Sequence, residues 1–119
     1  MGKTLVLGAS VKEYRYSNMA IHNLTAHGEE VVAIGLRKGI VAGVKIETGY
    51  PEFKEVDTVT LYLNALRQEQ YYDYIISLEP KRVIFNPGAE NHEFVRILKE
   101  NNIAFENACT LVMLSTDQF

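Results

Sequence analysis

The residues best suited to chemistry gather just after the first apolar run. Gly8-Ala9-Ser10 follows Thr4-Leu5-Val6-Leu7 directly, and Arg15-Tyr16-Ser17-Asn18 leads into a segment where Ala20, Ile21 and Leu24 repeat at helical spacing. A strand that breaks at glycine and turns into a helix presents free backbone N–H groups, with the helix dipole behind them, to an incoming anion. Gly8 allows close backbone approach, Ser10 and Ser17 can donate hydrogen bonds, and Arg15 supplies positive charge. Phosphate is the group such a turn suits. The bland alternative is an ordinary loop in which Ser17 caps the helix and Arg15 is solvated.

The dinucleotide fingerprint G-x-G-x-x-G is absent, because Ser10 and Glu13 take the places of its second and third glycines. An NAD site also wants an acidic residue after the second strand, where this chain has Gly35-Leu36-Arg37-Lys38-Gly39. Cations there suit an extra ribose phosphate, carried by coenzyme A on the 3′ oxygen and by NADP on the 2′ oxygen. Residue chemistry at this turn does not separate the two, and a solvated basic turn is the plain alternative.

The elements that must hold these turns follow from the hydrophobic pattern. Strands are predicted at 4–7, 30–34, 58–63, 82–85 and 103–105, with helices from Ser17 to His27, from Ala65 to Leu78, and one marked by Phe94, Val95 and Leu98 that runs to Asn101 or Asn102. The stretch 40–55 reads as an irregular crossover with at most a short strand, and Cys109 to Leu114 as a final helical turn or a frayed end. Alternation of strands and helices predicts an α/β, Rossmann-like open parallel sheet of five strands with helices on both faces, three layers in all. Ligands bind such sheets beyond the carboxyl ends of the strands, where strand order reverses.

Composition sets outer bounds. The 119 residues, 47% of them hydrophobic, are read as one domain over 1–119. A net charge of −3 gives no global attraction to nucleic acid or anionic lipid. No apolar run approaches the roughly 20 residues of a membrane span, and no signal peptide opens the chain, so a cytoplasmic protein without membrane partners is expected. A lone Cys109 and the lack of zinc-like spacing predict no disulfide and no metal.

Taken together, Gly8-Ala9-Ser10, Arg15-Tyr16-Ser17-Asn18, Pro87-Gly88-Ala89-Glu90-Asn91 and a late cysteine resemble the small stand-alone coenzyme A-binding domain proteins. That family shares its Rossmann-like fold with the nucleotide domain of succinyl-CoA synthetase alpha subunits, and the likeness covers nearly the whole chain. The resemblance implies that Gly8, Ala9, Ser10, Arg15, Tyr16, Ser17 and Asn18 surround the pyrophosphate of coenzyme A or an acyl-CoA. It places Gly35, Leu36, Arg37 and Lys38 at the adenosine end, and Tyr62, Leu63 and Asn64 along the adenine or pantetheine. Pro87, Gly88 and Asn91 match the turn after the fourth strand, and Cys109 the late cysteine. The chain departs from the pattern in having Gly35-Leu36 where Asn-Pro is more frequent, and Cys109-Thr110 in place of Cys-Pro.

Catalysis is not expected. His22, His27 and His92 fall within or at the ends of predicted helices, and Glu90 and Glu93 suit a helix start without any chemistry. The histidine phosphorylated in the synthetases belongs to a later domain, so succinyl-CoA synthesis is not implied. Cys109 reads first as a packing residue, with thiol exchange as its alternative. Tyr71, Tyr72 and Tyr74 read as packing, or with Phe53 as a homodimer surface; the chain is expected to be a monomer or homodimer. Two rival functions stay open: a small NADP-dependent or thiol-exchange enzyme, and a regulatory subunit with a vestigial nucleotide site.

Overall fold

In the computed structural model, which describes residues 2–119, seven strands form one sheet flanked by helices. In chain order the elements are β1 (Lys3–Ala9), α1 (Tyr16–Ala26), β2 (Val31–Gly35), β3 (Gly39–Val41), β4 (Val44–Glu47) and β5 (Val56–Leu61). They continue with α2 (Ala65–Gln68), a 3-10 turn (Glu69–Tyr71), α3 (Tyr72–Leu78), β6 (Arg82–Phe85), α4 (His92–Glu100), β7 (Ala104–Asn107) and α5 (Thr110–Ser115). The spatial order is β3-β4-β2-β1-β5-β6-β7, parallel throughout except for β3, which runs antiparallel to β4. Counting the parallel strands alone gives the Rossmann order 3-2-1-4-5-6, with strand order reversing between β1 and β5.

The expected class is therefore present, but the sheet has seven strands rather than five. The two additional strands form a hairpin inside the stretch read as irregular. Val41 pairs with Val44 across a loop of only Ala42 and Gly43, both at positive φ (50° and 79°). That is the conformation for which Asn-Gly or Asp-Gly is the usual signal, and alanine in its first position conceals the turn. After β4 the chain crosses to β5 without a helix. Tyr74 Oη donates to Pro51 O at 2.7 Å, and the Tyr50 ring lies 5.3 Å from that of Tyr71 and 5.6 Å from that of Tyr74. The tyrosines thus hold this segment against the helix, which is a packing role.

Alternate strand residues feed two cores. Leu5, Leu7, Ile34, Val59, Leu61, Val83 and Phe85 meet Ile75 of α3 and Phe94 and Leu98 of α4. On the opposite face, Val6, Ala9, Ala33 and Ile46 meet Ala20, Ile21 and Leu24 of α1, and Leu114 of α5. The last segment is thus a packed helix. The single helix predicted over 65–78 is broken by the 3-10 turn, whose tighter winding brings Gln68 and Tyr71, three residues apart, to the buried side together.

Candidate functional site

Parallel strands all deliver their carboxyl ends to one edge, so the turns after β1, β2, β5, β6 and β7 are neighbours because of topology. Two glycines permit the close approach at its centre. Gly8 has φ +101°, and a Cβ there would lie 3.1 Å from the Tyr62 carbonyl carbon and 3.2 Å from Leu63 Cδ2. At Gly35 a Cβ would stand 2.3 Å from Ala9 O. The tips of β1, β2 and β5 therefore meet backbone to backbone.

The β1–α1 turn is braced from within. Asn18 Nδ2 donates to Ser10 O at 2.9 Å, and Lys12 N donates to Ser10 Oγ at 3.1 Å. Helix α1 begins at Tyr16 with Arg15 in the capping position and no side-chain cap, so Ser17 does not cap it; the extended backbone of Arg15 makes that residue the boundary. Ser17 and Asn18 are buried, which turns Asn18 into a brace for the loop and leaves Ser10, Arg15 and Tyr16 at the surface side of the turn. No acidic side chain occupies the first turn of α1, and its leading N–H groups precede the first bonded turn. Among the described residues, the ion pairs are Lys81–Asp57, Arg82–Glu106 and Arg96–Glu100, so none engages Arg15, Arg37 or Lys38. Leu36, Arg37 and Lys38 are exposed after β2.

On the other side of the switch point, Asn64 caps α2 by accepting from Arg67 N at 2.9 Å. Pro87 and Gly88 are exposed, and Gly88 N donates to Glu90 Oε1 at 2.9 Å. Asn91 is buried and caps α4 by accepting from Phe94 N at 3.0 Å, while its amide nitrogen donates to Gln68 Oε1 and Tyr72 Oη. Asn91 therefore shapes this turn from behind. Tyr62 is half-buried, and its hydroxyl is buried without a hydrogen-bond partner among the described residues. Loss of solvent pushes its pKa up to about 12, against a weaker opposing pull from the nearby hydroxyls of Thr110 and Thr60. Those two hydroxyls bond each other at 2.8 Å. Cys109, half-buried, stands where β7 gives way to α5.

Two positioning residues carried no sequence signal of a site. Asn86 donates to Thr60 Oγ1 at 2.6 Å and Leu61 O at 2.9 Å, and accepts from Thr110 N at 2.9 Å, joining β5, β6 and α5. Gln68 donates to Leu63 O and Ala89 O. A buried amide after a strand or in a short helix is the sole trace such residues leave in sequence. Of the histidines, His22 lies on α1, His27 at its far end, and His92 opens α4 on the carboxyl side of the sheet; all are exposed.

A groove of about 360 Å³ lies between α1 and α5, lined by Glu13, Asn18, Met19, His22, Asn23 and Leu111. It shares Asn18 with the β1–α1 turn. A second, of about 330 Å³, lies beside Tyr50–Lys54 and the end of α3, away from the carboxyl edge. Among the described residues no cluster of three or more His, Cys, Asp or Glu is placed to hold a metal ion, and no helix is long and apolar enough to cross a membrane.

The strand order and the glycine-tipped first turn define a Rossmann-like α/β protein. A family model of the CoA binding domain matches residues 2–115, and the chain belongs to that family. The crystal structure of an uncharacterized protein shares 50% identity with it, with 100% of this chain and 98% of the other covered and a TM-score of 0.96. A hypothetical protein from Pyrococcus horikoshii OT3 (22% identity, 96% and 82% covered, TM-score 0.87) and a protein from Thermus thermophilus (20%, 99% and 91%, TM-score 0.84) share the fold. No curated protein matches the chain. Family membership supports a coenzyme A-binding role.

Proposed function

We infer that this chain, as one domain over residues 1–119, binds coenzyme A or an acyl-CoA without transforming it, seating the pyrophosphate on the turn between β1 and α1. One observation carries the reading. At the point where strand order reverses, Gly8 lets β1 and β5 close together while the uncapped start of α1 offers N–H groups beside Arg15, a cation with no carboxylate partner among the described residues. Ser10 and Tyr16 complete that contact, with Ala9 providing backbone only. Ser17 and Asn18 support it from the buried side. Arg37 and Lys38, also without carboxylate partners, face the 3′ phosphate, with Gly35 and Leu36 beside the adenosine. Tyr62, Leu63, Asn64, Pro87 and Gly88 form the wall along the rest of the ligand, and Asn91 fixes that wall. The protein works in the cytoplasm, where a lone thiol stays reduced.

Calorimetric titration with coenzyme A, acetyl-CoA and NADPH tests the reading. Binding of coenzyme A or acetyl-CoA is the expected result, and binding of NADPH alone rejects it. A second reading, thiol exchange, is favoured by the half-buried Cys109 at the same edge. Its thiolate would attack coenzyme A disulfide, forming a protein–coenzyme A mixed disulfide and releasing one coenzyme A thiolate. Intact-mass measurement after exposure to coenzyme A disulfide decides this, and no mass increase removes it.

A further inference from the structure

One fully buried polar group, with both its donors and its oxygen engaged, belongs to neither core. Gln68 has no exposed surface, and its amide nitrogen donates to Leu63 O at 2.8 Å and Ala89 O at 2.7 Å. Its oxygen accepts from Asn91 Nδ2 at 2.9 Å, and Asn91 in turn donates to Tyr72 Oη at 2.8 Å and caps α4. Every donor and acceptor of the Gln68 amide is therefore used across two separate turns. Burying such a group is costly unless all its bonds are made, and once they are made the network holds its members to one geometry. What it holds is specific: the turn after β5 at Leu63 and the turn after β6 at Ala89. Leu63 is also the side chain that lies over Gly8, at 3.2 Å from a Cβ built there.

We propose that Gln68 is a positioning residue for the ligand: without touching it, Gln68 sets the spacing of the β5 and β6 turns, and through Leu63 the seat of the Gly8 turn. The proposal rests on the reading that coenzyme A binds this edge. Gln68→Met keeps the length of the side chain and removes all of these hydrogen bonds. Coenzyme A affinity should fall roughly tenfold, the lower end of what loss of a supporting residue costs at metal sites. Hydrogen exchange should show lost protection in residues 63–67 and 88–91, with β1 still protected. If Gln68→Met does not fold, Tyr72→Phe removes just the outer end of the network, and about threefold weaker binding is expected.

A purely structural role is separated by a double-mutant cycle. If Gln68 acts through Leu63, Leu63→Ala combined with Gln68→Met should bind coenzyme A within about twofold of the weaker single variant. Multiplicative losses in the cycle overturn the route through Leu63, and unchanged affinity in Gln68→Met, or in Tyr72→Phe where Gln68→Met does not fold, overturns the whole proposal; either leaves the coenzyme A reading intact. Wild-type protein that fails to bind coenzyme A overturns that reading first, and the proposal with it.

Discussion

Replacing Gly8 by alanine probes the centre of the site. Two costs add at this position. Its φ of +101° lies beyond the small left-handed region open to L-residues, a strain of about 1–3 kcal/mol. The new methyl would also sit 3.1 Å from the Tyr62 carbonyl carbon and 3.2 Å from Leu63 Cδ2. A side chain can move aside, but the backbone of Tyr62, just past β5 and tied to β1 by its N–H donating to Leu7 O at 2.9 Å, has little room to do so. Crowding of that kind brings the whole to about 2–6 kcal/mol, since overpacking typically costs about 1–3 kcal/mol. Gly43→Ala is the matched control, because it too has positive φ (+79°) yet nothing within 4 Å of its Cβ position. Urea unfolding of both variants isolates the contact term, provided the m-values agree. Coenzyme A titration of the folded Gly8→Ala protein should then show weakened binding. A Gly8→Ala loss no larger than that of Gly43→Ala, with affinity unchanged, would refute the argument that this glycine is required by the approach of β5.

Other expectations follow from the same geometry. Arg15→Ala should weaken coenzyme A binding by about one to two orders of magnitude, the scale of a lost charge-assisted hydrogen bond to phosphate, and equal affinity in calorimetry would exclude Arg15 from the site. Coenzyme A at 100 times its dissociation constant should add about 2.7 kcal/mol to stability in thermal denaturation, whereas a vestigial site gives no shift. Asn86→Leu should cost about 2–4 kcal/mol in urea, since it removes buried hydrogen bonds to Thr60, Leu61 and Thr110; a loss under about 1 kcal/mol would show that the network is not needed. Burial raises both Tyr62 and Tyr74 from 10.0 to about 12. The unfolded chain therefore releases these protons first, so stability present below about pH 10 is lost as pH rises toward about 12. Tyr62→Phe should flatten that alkaline loss and leave stability at neutral pH unchanged or improved, because the hydroxyl it deletes has no hydrogen-bond partner; an unaltered alkaline profile would contradict the assignment.

What the linear chain determined by itself is the set of elements whose signal is local. Apolar runs marked β1, β2, β5 and β6, with glycine or proline closing all but β5, and spacing marked α1 and α4, because buried strands and amphipathic helices write their periods directly into residue order. The places of two strand-end turns were legible as well, Gly8-Ala9-Ser10 after β1 and the basic residues after β2. Tertiary structure decided the rest. Ala42 in a conformation usually given to asparagine hid the β3–β4 hairpin, and the break between α2 and α3 arose where Gln68 and Tyr71 both had to reach the interior. Asn18 and Asn91 carry polar groups that sequence assigns as readily to a ligand as to a brace. Only folding, by enclosing their amides where unmade hydrogen bonds are costly, turned them toward Ser10 and Gln68.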